Sequence, residues 1–133
     1  MMKRKYGARF LVIYLSVLLA TGCSPVTIDS EDEKAYYDIY NSCYLTGNYV
    51  QAIVEFEQFI KTYPWSSKLD NGQYFLGRSH MKCAPNLSPD TLKMVTQYQS
   101  AITAFRLISN KSSKYDDGIK NIDKCRSEIA VLE

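Results

Sequence analysis

The chain has 133 residues, 46% of them hydrophobic and 23% charged, with four cysteines and a formal net charge of +2. That length suits one modest domain. Four of the 16 basic residues (Lys3, Arg4, Lys5 and Arg9) fall in the first nine positions, leaving 12 against 14 acidic side chains, a net of −2. No basic arm or Lys/Arg run follows, which excludes a reader of nucleic-acid phosphates.

The four early cations precede an apolar run from Phe10 to Ala20, and Thr21-Gly22-Cys23 closes it. Basic start, apolar centre and small residues are the parts of an export signal. The run is well short of the roughly 20 residues that span a bilayer. With Gly22-Cys23 at the cleavage point, the segment resembles the bacterial lipoprotein signal. That resemblance implies a signal peptide over 1–22 and a Cys23 whose thiol carries diacylglycerol and whose new amine is acylated. Two or three acyl chains suffice for lasting membrane attachment. Ser24 follows the cysteine, and in lipoproteins of double-membrane bacteria Ser there resembles the outer-membrane type. The expected location is therefore the periplasmic side of the outer membrane, held by a lipid anchor.

Residues 23–30 read as the lipidated cysteine and a short tether, and 31–133 as the folded domain. Ser30 and Glu33 form a capping-box pattern with Glu31 and Asp32 in the first turn. This helix is expected to reach about Thr46, with Gly47 as its stop. A second helix is predicted from about Tyr49 to Thr62, ended by Tyr63-Pro64. Ser66 or Ser67 caps a third reaching about Lys82. Ala84–Asp90 reads as a loop, with Ser88 as the cap and Pro89 as the first residue of a fourth helix running to about Ser109. Ser113 with Asp116 caps a fifth, from about Lys114 to Leu132. No segment alternates with period two for long enough to compete, so the domain reads as all-α, with about five helices.

Two blocks recur in the same order. Tyr49-x-x-Ala52-Ile53-x-x-Phe56 returns as Tyr98-x-x-Ala101-Ile102-x-x-Phe105, and Ser66-Ser67-Lys68-x-Asp70-x-Gly72 returns as Ser112-Ser113-Lys114-x-Asp116-x-Gly118. A small Ala lets a neighbouring helix approach closely while Phe fills the space between helix pairs, as stacked hairpins require. Gly47, Tyr49, Ala52, Phe56 and Pro64, with Leu76-Gly77 in the second unit, resemble the tetratricopeptide repeat. The implied fold is a tetratricopeptide-like stack of helical hairpins. The turn inside the second unit is enlarged by Cys83–Lys93, and no Pro follows Ser109.

A narrower resemblance covers roughly 33–133. Gly47-x-Tyr49-x-x-Ala52-x-x-x-Phe56-x-x-Phe59-x-x-x-Tyr63-Pro64-x-Ser66 is similar to the repeats of the outer-membrane assembly lipoproteins called BamD or ComL. Pro89-Asp90-Thr91 and the helix from Ser113 through Cys125-Arg126 to Ile129-Ala130 look like that family too. The resemblance is to its N-terminal half. The periplasmic partner of the Tol–Pal system shares the Tyr-Pro-x-Ser and Leu-Gly elements.

Little in the sequence points to catalysis. His80 is the one histidine and is expected in a helix core or at its edge, without the companions a zinc or Ser-His site needs. Gly47 and Gly72 are isolated, so no phosphate loop forms. Glu55 and Glu57, two apart on a helix, do not face each other. No enzyme activity, cofactor or metal is expected. Cys43, Cys83 and Cys125 read either as free buried thiols or as one Cys83–Cys125 bridge between first helices of successive repeats, with one thiol left over.

In tetratricopeptide arrays the first helix of each repeat lines the inner face. Carried onto this chain, the resemblance places Tyr37, Asn41 and Tyr44, then Tyr74, Arg78 and Met81, with Lys120 and Lys124 from a third first-helix, along one groove. Aromatics among cations suit an extended peptide bearing an aromatic side chain and a carboxylate. The family resemblance implies, as partners, unfolded β-barrel substrates and other outer-membrane assembly proteins, with the membrane reached through the lipid and no nucleic acid. A cell-envelope adaptor of the Tol–Pal or secretion-pilot type, or an accessory lipoprotein that plugs into a larger complex, remains the alternative.

Overall fold

The computed structural model describes residues 30–133, and Cys23 with the signal segment lies outside the described residues. Five helices follow one another: α1 Glu31–Ile39, extended by a π turn Tyr40–Tyr44; α2 Tyr49–Thr62; α3 Leu69–Cys83; α4 Thr91–Arg106; α5 Tyr115–Leu132. Each packs against its neighbours in sequence, giving the expected all-α stack of antiparallel hairpins. No strand occurs among the described residues.

Several boundaries differ from expectation, each for a local reason. Ser30 makes no side-chain capping bond at α1. The carboxylates meant for that cap are used across the hairpin instead. Asp32 accepts from the Ser66 hydroxyl, and Glu33 accepts from Ser67 Oγ at 3.4 Å and pairs with Lys68 Nζ at 3.4 Å. Hydrogen bonds from Ser30 and Ser66 hold the Asp32 carboxyl below its usual range. These contacts pin the start of α1 to the α2–α3 turn.

The α-helical part of α1 stops at Ile39 rather than near Thr46. Ser42 Oγ donates to the Asp38 carbonyl, and Thr46 Oγ1 donates to those of Ser42 and Cys43, competing with the regular ladder. Tyr36, Tyr40 and Tyr44 stack in file along this helix, with centroids 6.2 and 5.7 Å apart. Gly47 then reverses the chain at φ +80, a left-handed conformation that side chains resist.

At α4 the cap is Asp90, not Ser88: its Oδ1 accepts the Lys93 amide at 3.1 Å. Ser88-Pro89 is cis and lies outside the helix. One 3₁₀ turn, Ala84–Leu87, occupies the expected loop.

The repeat seen in the sequence recurs in the backbone. The Lys68 amide donates to Ser66 Oγ at 3.0 Å, and the Lys114 amide to Ser112 Oγ at 3.2 Å. Tyr63, Ser66, Lys68 and Gly72 are tied by the same bonds as Ser109, Ser112, Lys114 and Gly118. The helical blocks are offset by 49 residues and the turn blocks by 46, so the second unit reaches its turn three residues sooner. α4 ends at Arg106 rather than near Ser109, because the Leu107 and Ile108 amides turn to the carbonyls of Ala104 and Phe105, three residues back.

Two apolar clusters fill the stack. One joins α1, α2 and the middle of α3 around Tyr36, Phe56 and Phe59; the other joins α3, α4 and α5 around Tyr74, Tyr98, Phe105 and Cys125. Ala52 and Ala101 are both 0% exposed, so neither site has room for a larger side chain. Ala52→Leu or Ala101→Leu should therefore overpack and destabilise by roughly 1–3 kcal/mol, whereas Gln99→Leu on the exposed face should cost little. Urea denaturation of the three variants checks this, and neutral behaviour of both alanine variants would count against the repeat assignment.

Candidate functional site

A cleft of about 360 Å³ opens between α3 and α5, with α4 beneath it. From α3 come Arg78, Met81 and Lys82, spaced to share one helix face; from α5 come Asn121, Lys124 and Glu128, at similar spacing. Pro85 and Tyr98 complete the lining. Three cations face one carboxylate, so an anionic group entering the cleft meets a net positive wall.

Arg78 is the most constrained of these cations. Its Nη1 donates to the Tyr74 hydroxyl at 3.1 Å, and the guanidinium lies 5.9 Å from the Tyr74 ring centroid. Burial works against its charge, but the Tyr74 hydroxyl and nearby Tyr44 raise its pKa on balance, so it stays a cation. Tyr44 is half-buried: it stacks on Tyr40 and packs edge-on against Phe75 and Tyr49. Burial raises its pKa, and the Arg78 charge acts the other way.

The eight groove residues expected from the sequence are thus placed unequally. Arg78, Met81 and Lys124 line one cleft. Tyr74, expected as an open packing surface, is only 7% exposed. Its ring packs on Phe75 and Phe105, Lys114 Nζ lies 5.3 Å from its centroid, and its hydroxyl braces Arg78. Tyr74 is therefore a positioning residue for Arg78. Tyr37 is exposed, lies edge-on to Tyr36 and has Lys68 Nζ 5.3 Å from its centroid, away from the cleft. Asn41 is exposed one turn further along. Lys120 faces solvent and pairs with Asp117 at 3.7 Å.

Sequence reasoning missed Lys82, Asn121 and Glu128. The heptad-like spacing 121, 124, 128 on α5 was the available clue. Tyr98 is 5% exposed but also touches the cleft; burial and then the Glu128 carboxylate raise its pKa.

His80 is 8% exposed, and its Nδ1 shares a 2.6 Å hydrogen bond with Gln97 Oε1. All three described cysteines are free and buried, so the Cys83–Cys125 bridge is not formed. The two thiols belong to different contacts: Cys83 borders an apolar recess with Val50, Ile53 and Val54 of α2, while Cys125 is fully enclosed beside Tyr98 and Phe105. Burial raises the pKa of both, that of Cys125 to about 11. Among the described residues no three His, Cys, Asp or Glu side chains stand together as a metal site, and no helix is long and apolar enough to cross a membrane.

A family model described as "YfiO: Outer membrane lipoprotein" matches residues 28–133. The chain belongs to that family. The match takes in all five helices and the whole cleft, so cleft and stack are parts of a YfiO-type domain. It agrees with the resemblance to the N-terminal half of BamD-like lipoproteins. No curated protein and no solved structure matches the chain.

Proposed function

We propose that this YfiO-family protein is a lipid-anchored periplasmic scaffold that assists the assembly of β-barrel proteins in the outer membrane. In this reading residues 1–22 direct export, Cys23 carries the acyl chains, 23–30 form the tether and 31–133 the binding domain. The domain works by holding an extended, unfolded segment of its client along the cleft between α3 and α5. It performs no covalent chemistry.

One observation carries the reading: Arg78, Lys82 and Lys124 converge on a cleft whose lining also offers Met81, Pro85 and Tyr98. Apolar and aromatic surface flanked by cations matches a peptide that presents an aromatic ring and a carboxylate together. Arg78 is held in place by Tyr74 before any ligand arrives, which lowers the ordering cost of binding. Membership of an outer-membrane lipoprotein family supports the location and the setting.

The test is photo-crosslinking in cells. A photoreactive residue at Asn121, inside the cleft, should capture unfolded barrel precursors, and one at Thr103, on the opposite exposed side of α4, should not. Adducts from Asn121 confined to other envelope proteins, or equal capture from both positions, would contradict the reading.

A further inference from the structure

Because the hairpins alternate in direction, the start of α1, the α2–α3 turn and the α4–α5 turn all lie at one end of the stack. Hydrogen bonds tie them there: the Ser66 hydroxyl reaches Asp32, and the Ser109 amide donates to Asp70 Oδ1 at 3.1 Å. This end carries Trp65, the one tryptophan of the chain, which is 76% exposed after an exposed Pro64. Leu107, 63% exposed, stands on the neighbouring turn of the same end. The Trp65 ring meets Tyr63 edge-on at 6.2 Å, so the indole is braced on its inner side and open outward.

Nothing in the fold accounts for an indole left in water. Tryptophan has an apolar body and a polar N–H, which suits the boundary between lipid headgroups and acyl chains. The chain leaves this same end at Ser30. Six residues lie between it and Cys23, a span of at most ~25 Å when fully extended. The helices are about 21 Å tall over Glu31–Tyr44, so the opposite end can meet the anchoring surface only with the tether drawn out along the full height.

We propose that this end of the stack lies on the phospholipid surface, with Trp65 and Leu107 immersed at the headgroup boundary. The inference rests on acylation of Cys23. The contact is apolar rather than electrostatic. Asp32, Glu33 and Asp70 are engaged by Ser66, Lys68 and the Ser109 amide, Asp117 pairs with Lys120, and Asp116 and the exposed Glu31, which is hydrogen-bonded to Tyr63, partly offset the exposed Lys61, Arg106 and Lys111. The three exposed cations can lay their stems along the boundary with their charges among the headgroups. A membrane on that end leaves the α3–α5 cleft facing sideways and open to a client.

Trp65 is its own probe. The full-length protein, checked for acylation by mass spectrometry, is reconstituted into zwitterionic vesicles with and without brominated acyl chains. The expected result is a blue-shifted Trp65 emission that loses most of its intensity to bromolipid, unchanged by salt. In a Trp65→Phe background, Leu107→Trp should be quenched likewise, and Leu92→Trp, 77% exposed at the far end, should not. Acylated protein that floats with vesicles while Trp65 stays unquenched would overturn the proposal and leave the anchor intact. Quenching of Leu92→Trp equal to that of Trp65 would overturn it as well. Protein lacking acyl chains whose Trp65 is nevertheless quenched would support the surface contact and refute the anchor; without chains and without quenching, both fail.

Discussion

Phe105→Ala should destabilise the domain by ~3–5 kcal/mol, the range for deleting a large ring from a closed core. Phe105 is 2% exposed, lies 5.9 Å centroid to centroid from Tyr74 and fills the space above Gly77. It belongs to the cluster that holds α3, α4 and α5 together, which is also the frame of the cleft. Domains of this size are stable by about 5–15 kcal/mol in total, so the variant stands near the threshold of folding. Urea denaturation should show a large fall in midpoint with little change in slope. A shift below ~1 kcal/mol, typical of surface substitutions or smaller deletions, would mean that the second hairpin is not packed around this ring.

Gly77→Val tests the same contact from the other side. A Cβ at position 77 would meet three atoms of the Phe105 ring at 2.7–2.9 Å, closer than any relaxed carbon contact. Replacing a helical glycine ordinarily gains some helix stability. Here the ring is enclosed and cannot withdraw, so we expect a net loss of about 3 kcal/mol, the upper part of the range for overpacking. Gly118→Ala is the informative comparison. Its nearest neighbour is the Cδ1 end of Ile108 at 3.1 Å, which can rotate away, so propensity and crowding should nearly cancel. The Gly77→Val and Phe105→Ala effects should be strongly non-additive, since removing the ring removes the clash.

The helices were legible in the sequence because their information is local and repeated. The Tyr-x-x-Ala-Ile-x-x-Phe block fixes the buried face, and Ala52, Phe56, Ala101 and Phe105 all sit at 0–2% exposure. Their exact ends were less legible, because ends depend on side chains with competing partners. Glu33 reads as half of a capping box, yet it pairs with Lys68, 35 positions away. Asp90 rather than Ser88 caps α4 because its carboxylate accepts the Lys93 amide.

The site was partly legible. Repeat positions locate Arg78, Met81 and Lys124 because those positions encode helix face. They do not encode which neighbour claims a side chain. Tyr74 occupies a groove position but is drawn inward by Phe75 and Phe105, and Lys120 is claimed by Asp117. Asn121 and Glu128 reach the cleft from a helix whose tilt against α3 no single sequence displays.

The central claim is that the α3–α5 cleft binds an extended segment through Arg78, and titration of one peptide tests it most directly. The probe ends in an aromatic residue with a free carboxylate, and its amidated twin serves as reference. Losing a charge-assisted hydrogen bond costs about 1.5–3 kcal/mol, so Arg78→Ala should weaken binding roughly 10- to 100-fold. Arg106→Ala, exposed at the end of α4 and outside the cleft lining, should leave affinity unchanged, and both variants should melt near the parent. Amidation should weaken binding to the parent domain and make little further difference to Arg78→Ala. Equal affinity of parent, Arg78→Ala and Arg106→Ala for the free-acid peptide would contradict the account and move the binding surface off this cleft.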